Sequence, residues 1–200
     1  MKLTSVVLLA ILPAVLSFGQ PQAKPEAGGK GDGIKVHGHW VLEIKNPDGS
    51  VASRKEFENS LNPFTGAPLL FSLLDGGATV GPWAVSISVA GVPPSVLSVA
   101  QTAAGCSGVL GSGGLCSNSL TLSAAASGLV FQGTTPAATA GGPINSVTTE
   151  VFTCAGNISP QSCLAQTGAF PGFVGLTVAS PAVNIQVGQN ITVTVTINFT

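Results

Sequence analysis

The chain is short of the groups that do acid–base chemistry. Among 200 residues there is no tyrosine, there are two histidines, His37 and His39, and 8% of the side chains are charged. From Gly76 to the end the only charged side chain is Glu150. A hydrolase needs a base beside its nucleophile, usually His, Glu or Asp, and this long region offers one. Serine is abundant, but no Gly-x-Ser-x-Gly elbow stands ahead of an Asp and a His. Glycoside hydrolysis needs two carboxyls flanking the bond, which Glu43, Glu56 and Glu58 would supply only from a cleft. No P-loop is present. These absences argue against an enzyme and imply no cofactor.

Other absences narrow the partners and the fold. The basic residues form no stripe, so nucleic acid is not an expected partner. No fixed-period repeat is visible, which disfavours a solenoid or propeller. There is no Cys-x-x-Cys pair, which disfavours a Cys₄ zinc site. Beyond the N-terminus no apolar run is long enough for a transmembrane helix, so no integral membrane segment is expected once a leader is removed.

The N-terminus reads as that leader. Lys2 supplies the positive start, and Val6 to Leu16 is an apolar run broken by Pro13. Ser17 and Gly19 are small residues at −3 and −1 if cleavage precedes Gln20. Residues 1–19 are therefore expected to be a secretory signal peptide. Residues 20–35 read as a flexible linker rich in Pro, Gly and mixed charge. Residues 36–200 are enough for one domain with a real core. The expected destination is the extracellular space, the cell surface or the periplasm.

Val36 to Lys45 alternates. Val36, Gly38, Trp40, Leu42 and Ile44 share one face, and His37, His39, Val41, Glu43 and Lys45 the other. Asn46-Pro47-Asp48-Gly49 is a strong turn, and Ser50 to Phe57 returns as the partner strand. Lys45 opposite Ser50 sets Trp40 against Lys55 and Gly38 against Phe57. His39 then faces Glu56, and His37 faces Glu58; a bulge at Gly49 is the open alternative. Two imidazoles and a carboxylate suit zinc or copper, so His37, His39, Glu56 and Glu58 form a candidate metal face. The plainer reading is a solvated face with cross-strand charge pairs.

Asn62 to Gly77 changes character. Pro68 suits a first helical turn, Leu69, Leu70, Phe71, Leu73 and Leu74 follow, and Asp75-Gly76-Gly77 ends the run. This predicts one short, largely buried helix closing an end of the sheet. Downstream, strands are expected at Trp83 to Ala90, Ser119 to Ala125, Gly128 to Gly133, Asn145 to Cys154 and Gly172 to Val178. Short strands with frequent turn signals give an antiparallel β-sandwich. Trp40 belongs to its core, whereas an exposed pair with Trp83 would make a carbohydrate platform.

Cys106, Cys116, Cys154 and Cys163 are an even set in an exported chain, so disulfides are the default. Close spacing favours Cys106–Cys116 and Cys154–Cys163. Asn157-Ile158-Ser159, Asn190-Ile191-Thr192 and Asn198-Phe199-Thr200 match glycosylation sequons.

The chain ends on its most regular stretch. Val183, Ile185 and Val187 alternate with polar residues, Gly188-Gln189-Asn190 breaks the run, and Ile191 to Phe199 alternates again. The pattern predicts a closing hairpin with Thr192, Thr194 and Thr196 on its polar side. A low-charge threonine face suits assembly with other copies or surface proteins as well as it suits water.

Two pieces resemble known sequences. His37-Gly38-His39-Trp40 through Asn46-Pro47-Asp48-Gly49 to Glu56-Phe57-Glu58-Asn59-Ser60-Leu61 is similar to the start of uncharacterised exported β-sandwich proteins of environmental bacteria. Val187-Gly188-Gln189-Asn190-Ile191-Thr192-Val193-Thr194-Val195-Thr196-Ile197-Asn198-Phe199 resembles their ending. The order of hairpin, short helix and Gly-Gln-initiated last strand also resembles β-sandwich modules of phage tail and fibre proteins. The first resemblance implies no activity; the second implies a packed assembly. The resulting expectation is a secreted, non-enzymatic structural or interaction protein, with carbohydrate binding or metal binding at the His37/His39 face as alternatives.

Overall fold

The computed structural model describes residues 36–60, 66–90, 96–109, 114–126, 128–165, 174–179, 181 and 183–199. The expected signal peptide and linker lie outside the described residues. The described chain forms two β-sheets. The first, of five strands, has the order β2 (Val51–Ser60), β1 (Val36–Lys45), β11 (Asn190–Phe199), β7 (Gly128–Thr134), β6 (Thr121–Ala125). The second, of six strands, runs β10 (Asn184–Ile185), β8 (Gly142–Ala155), β3 (Ala78–Val89), β4 (Val96–Ala100), β5 (Leu115–Ser117), with β9 (Val174–Ala179) also on β8. All strand pairs are antiparallel except β4–β5. This is the expected disulfide-stapled sandwich. It carries more helix than expected: α1 (Gly66–Leu74) is joined by α2 (Ala103–Val109) and α3 (Pro160–Leu164).

Period-two alternation builds the core. Trp40, Leu42 and Ile44 of β1 and Ile191, Val193, Val195 and Ile197 of β11 are all buried, while the residues between them are half-buried. Val85, Ile87, Leu97, Val99, Val147 and Val151 face them from the second sheet in one continuous cluster. Trp40 Nε1 donates to Thr149 Oγ1 at 3.3 Å across the gap, and Trp83 tilts onto Phe131 at 4.8 Å between ring centroids. Both tryptophans are core residues, so neither supplies a sugar platform. β3 starts at Ala78, which places Trp83 inside the strand and not at its beginning. Gly38 is required by a close approach: a Cβ there would stand 2.1 Å from Cη2 of the Trp40 indole.

The first hairpin departs from the expected register. Trp40 pairs with Phe57, His39 with Glu58 and His37 with Ser60, two residues along from the alignment that set Lys45 against Ser50. Two features each add one residue. Gly49 takes φ +85°, while Gly49 N–H donates to Asn46 O and Asn46 N–H to Ser50 O, the bulged form of a short hairpin loop. The ladder then slips once more between Ile44 and Lys45, where Ala52 has no partner. Two slips restore the face assignment that one would invert. Indole and phenyl consequently stack, 5.7 Å between centroids and 6° between planes.

The last two strands are not a hairpin. β10 pairs with β8 in one sheet, and β11 pairs with β1 and β7 in the other. Gly188, at φ +85°, turns the chain between the layers, and Gly188 N–H bonds Ala138 O while Ala138 N–H bonds Gln189 O.

The disulfides are Cys106–Cys116, joining α2 to β5, and Cys154–Cys163, joining β8 to α3. Ser159 caps α3, its Oγ accepting from Ser162 N–H at 3.2 Å. Cys163 is fully buried beside Phe152. Replacing Cys154 and Cys163 together with alanine is expected to cost about 3 kcal/mol, by releasing a short loop in the unfolded chain. Urea denaturation checks this; an unchanged midpoint would contradict it.

Candidate functional site

The outer face of the five-stranded sheet gathers most of the residues singled out from the sequence. Its charged part lies on β1 and β2. Glu43 Oε1 accepts from Arg54 Nη1 at 3.4 Å, and Lys45 Nζ lies 3.8 Å from Glu43 Oε2. Arg54 Nη2 also pairs with Glu56, and His39 Nε2 lies 3.7 Å from the other oxygen of that carboxylate. The His39–Glu56 contact is therefore real but diagonal, because Glu58 is the residue directly opposite His39. His37 sits between Ser60 and Asn198, so the structure does not bring His37 and Glu58 face to face. Among the described residues no three His, Cys, Asp or Glu side chains are grouped to hold a metal ion. These exposed pairs are worth at most about 1 kcal/mol each.

The charge stops at β11. Thr192 lies between Glu43 and Thr134, Thr194 between Val41 and Gln132, and Thr196 between His39 and Val130. The three threonines are half-buried in mid-sheet, and Thr192 and Thr134 join Oγ1 to Oγ1 at 3.1 Å. They present methyl and hydroxyl groups on that face, flanked on both sides by strands.

The outer face of the second sheet holds Glu150, between Ala84 of β3 and Gly175 of β9. Burial pushes its carboxyl from an ordinary 4.5 up to about 7, and a hydrogen bond with Ser86 opposes that only partly. Ser98 Oγ donates in turn to Ser86 Oγ at 3.4 Å. The sequence marks Glu150 only by its isolation and gives no sign of its burial.

The exposed apolar surface is elsewhere. The expectation of a largely buried α1 is wrong on one side. Leu69 is buried and Leu73 packs on the core, but Phe71 is 76% and Leu74 86% exposed. They stand three residues apart and therefore on one side of the helix. A helix greasy all round gives no sign in sequence of which side is bare. Asp75 Oδ1 accepts from Gly77 N–H at 2.8 Å, and Gly76 at φ +75° ends the helix where the sequence placed its stop.

Two disulfides fit maturation in an oxidising compartment. Among the described residues no helix is long and apolar enough to cross a membrane. Compared with protein-family models, curated proteins and solved structures, the chain matches none.

Proposed function

We propose that the mature chain is a secreted, non-enzymatic structural protein that associates with copies of itself in an extracellular or cell-surface assembly. The observation that carries this reading is the bare side of α1. Phe71 and Leu74 are the two most exposed large apolar residues of the described chain. Val51, Leu122, Val187 and Phe199 are also exposed, but less so, and two large apolar groups bared together on one side of a helix mark a contact surface. The occupant is a second copy because charge offers no basis for choosing another partner. The whole chain carries a formal net charge of −1, so copies meet with little repulsion and no opposite-charge patch is called for. The threonine face of β11 adds a second uncharged surface for packing.

Sedimentation velocity and negative-stain microscopy of the chain from Gln20 onward test the reading. Concentration-dependent association or regular polymers are expected, and Phe71→Glu with Leu74→Glu should weaken association at least tenfold. A monodisperse monomer at high concentration overturns the proposal.

A further inference from the structure

We propose that β6 is a docking strand that takes the β6 of a second copy of this chain, antiparallel across a two-fold axis at Ser123. The inference rests on the self-association reading above and specifies one contact within it. The five-stranded sheet has two edges, β2 and β6, and they differ in kind. β2 carries Arg54, Lys55, Glu56 and Glu58, with Ala52 left out of the ladder. Charge and a bulge are the ordinary guards against edge pairing. β6 reads Thr121-Leu122-Ser123-Ala124-Ala125, with no charge, no proline and no bulge against β7. All five residues are exposed, and among the described residues β7 is its only strand partner.

The core itself runs out at this edge. Phe57, Trp40, Val195, Phe131 and Leu122 stand side by side across the five strands on the inner face. Trp40, Val195 and Phe131 are completely buried, whereas Leu122 is 36% exposed. A further strand would continue the row and cover it.

The strand suits its own copy. A two-fold at Ser123 sets Leu122 against Ala124 twice, large beside small, and Thr121 against Ala125 on the hydroxyl face. No like charges meet. An antiparallel ladder with β7 uses alternate residues and leaves the N–H and C=O of the intervening ones pointing off the edge. Pairing about Ser123 joins residues of equal parity, so those outward groups bond each other. Such a contact is isologous and closes as a dimer. Joining β6 to β2 instead would be a heterologous contact and would bury the charges of residues 54–58 against a strand without counter-charge.

Single-cysteine variants of the otherwise native chain, mildly oxidised, test the register. Ser123→Cys is expected to give a disulfide-linked dimer. Thr121→Cys and Ala125→Cys should each form no disulfide-linked dimer alone and cross-link when mixed. Mass mapping checks that Cys106–Cys116 and Cys154–Cys163 stay intact. Leu122→Lys with Ala124→Lys should weaken dimerisation at least tenfold without loss of β-sheet circular dichroism. The proposal falls if Ser123→Cys gives no disulfide-linked dimer while the unmodified chain associates, if all positions cross-link equally, or if Ser123→Cys instead links to Arg54→Cys. The first of these outcomes leaves the self-association reading standing; a chain that never associates removes both.

Discussion

Truncating Trp40 to alanine is expected to lower the unfolding free energy by about 4 kcal/mol, within the range for large aromatic deletions in cores. Three structural features place it in that range. The side chain is completely buried, it stacks flat on Phe57, and Gly38 leaves the space that its six-membered ring occupies. The indole also supplies the partner of a buried hydroxyl, since Nε1 donates to Thr149 Oγ1 and Thr149 is fully buried. Trp40→Phe keeps much of the stack and loses that bond, so its cost should fall near half of the alanine value. Thr149→Val leaves the indole N–H unpaired, whereas Trp40→Phe with Thr149→Val removes both polar partners. The double variant should therefore be more stable than the sum of the single effects by about 1 kcal/mol. Guanidinium denaturation followed by circular dichroism checks the series. A cost below about 1 kcal/mol for Trp40→Ala would contradict this account of the core.

The same row of residues shows what was legible in sequence. Alternation in Val36–Lys45 and Asn190–Phe199 assigned every inward residue of β1 and β11, because side-chain period two is a property of one strand alone. Pairing belongs to two strands and to the loop between them. The Asn46–Gly49 turn was plain and a bulge at Gly49 was open, but nothing in the strand's own alternation marks the second residue, added at Ala52. The two additions together preserved the faces and displaced the partners, giving Trp40 a phenyl in place of a lysine. Partner choice was equally hidden at the C-terminus, where Val183–Val187 alternates regardless of which sheet receives it. Val96–Ala100 was not anticipated as a strand, since Val-Leu-Ser-Val-Ala is too short for its period to decide. For the candidate surface, the sequence located Thr192, Thr194 and Thr196 and the charged hairpin. It did not reveal that Phe71 and Leu74 are bare or that the uncharged β6 is an edge, because exposure and edge position follow from strand order.

Burial of a single carboxyl determines the second large effect, a stability that falls as pH rises toward neutrality. Glu150 has a carboxyl raised to about 7 by burial, and the adjoining strands β3 and β9 carry no titratable group. Its folded pKa lies above its unfolded value, so the native state holds the proton more tightly. Between about 4.5 and about 7 the folded chain therefore binds more protons than the unfolded one, and stability must decline with pH across that window. The full difference is about 3 kcal/mol, present as a penalty above neutrality and absent in acid. Asp48 acts in the opposite sense and at lower pH. The Ser50 hydroxyl and then the Ser50 N–H hold its carboxyl below the usual range, so its contribution is present above that range and lost on acidification. Comparing Glu150→Gln with the unmodified chain isolates the first effect. Glutamine keeps the shape and a partner for Ser86 but has no charge to bury. The variant is expected to be about 3 kcal/mol more stable at pH 8 and indistinguishable at pH 4. Urea midpoints measured at intervals from pH 4 to pH 8 should thus diverge steadily between the two proteins. Parallel curves would mean that Glu150 is hydrated in solution and that the outer face of the second sheet is open to water.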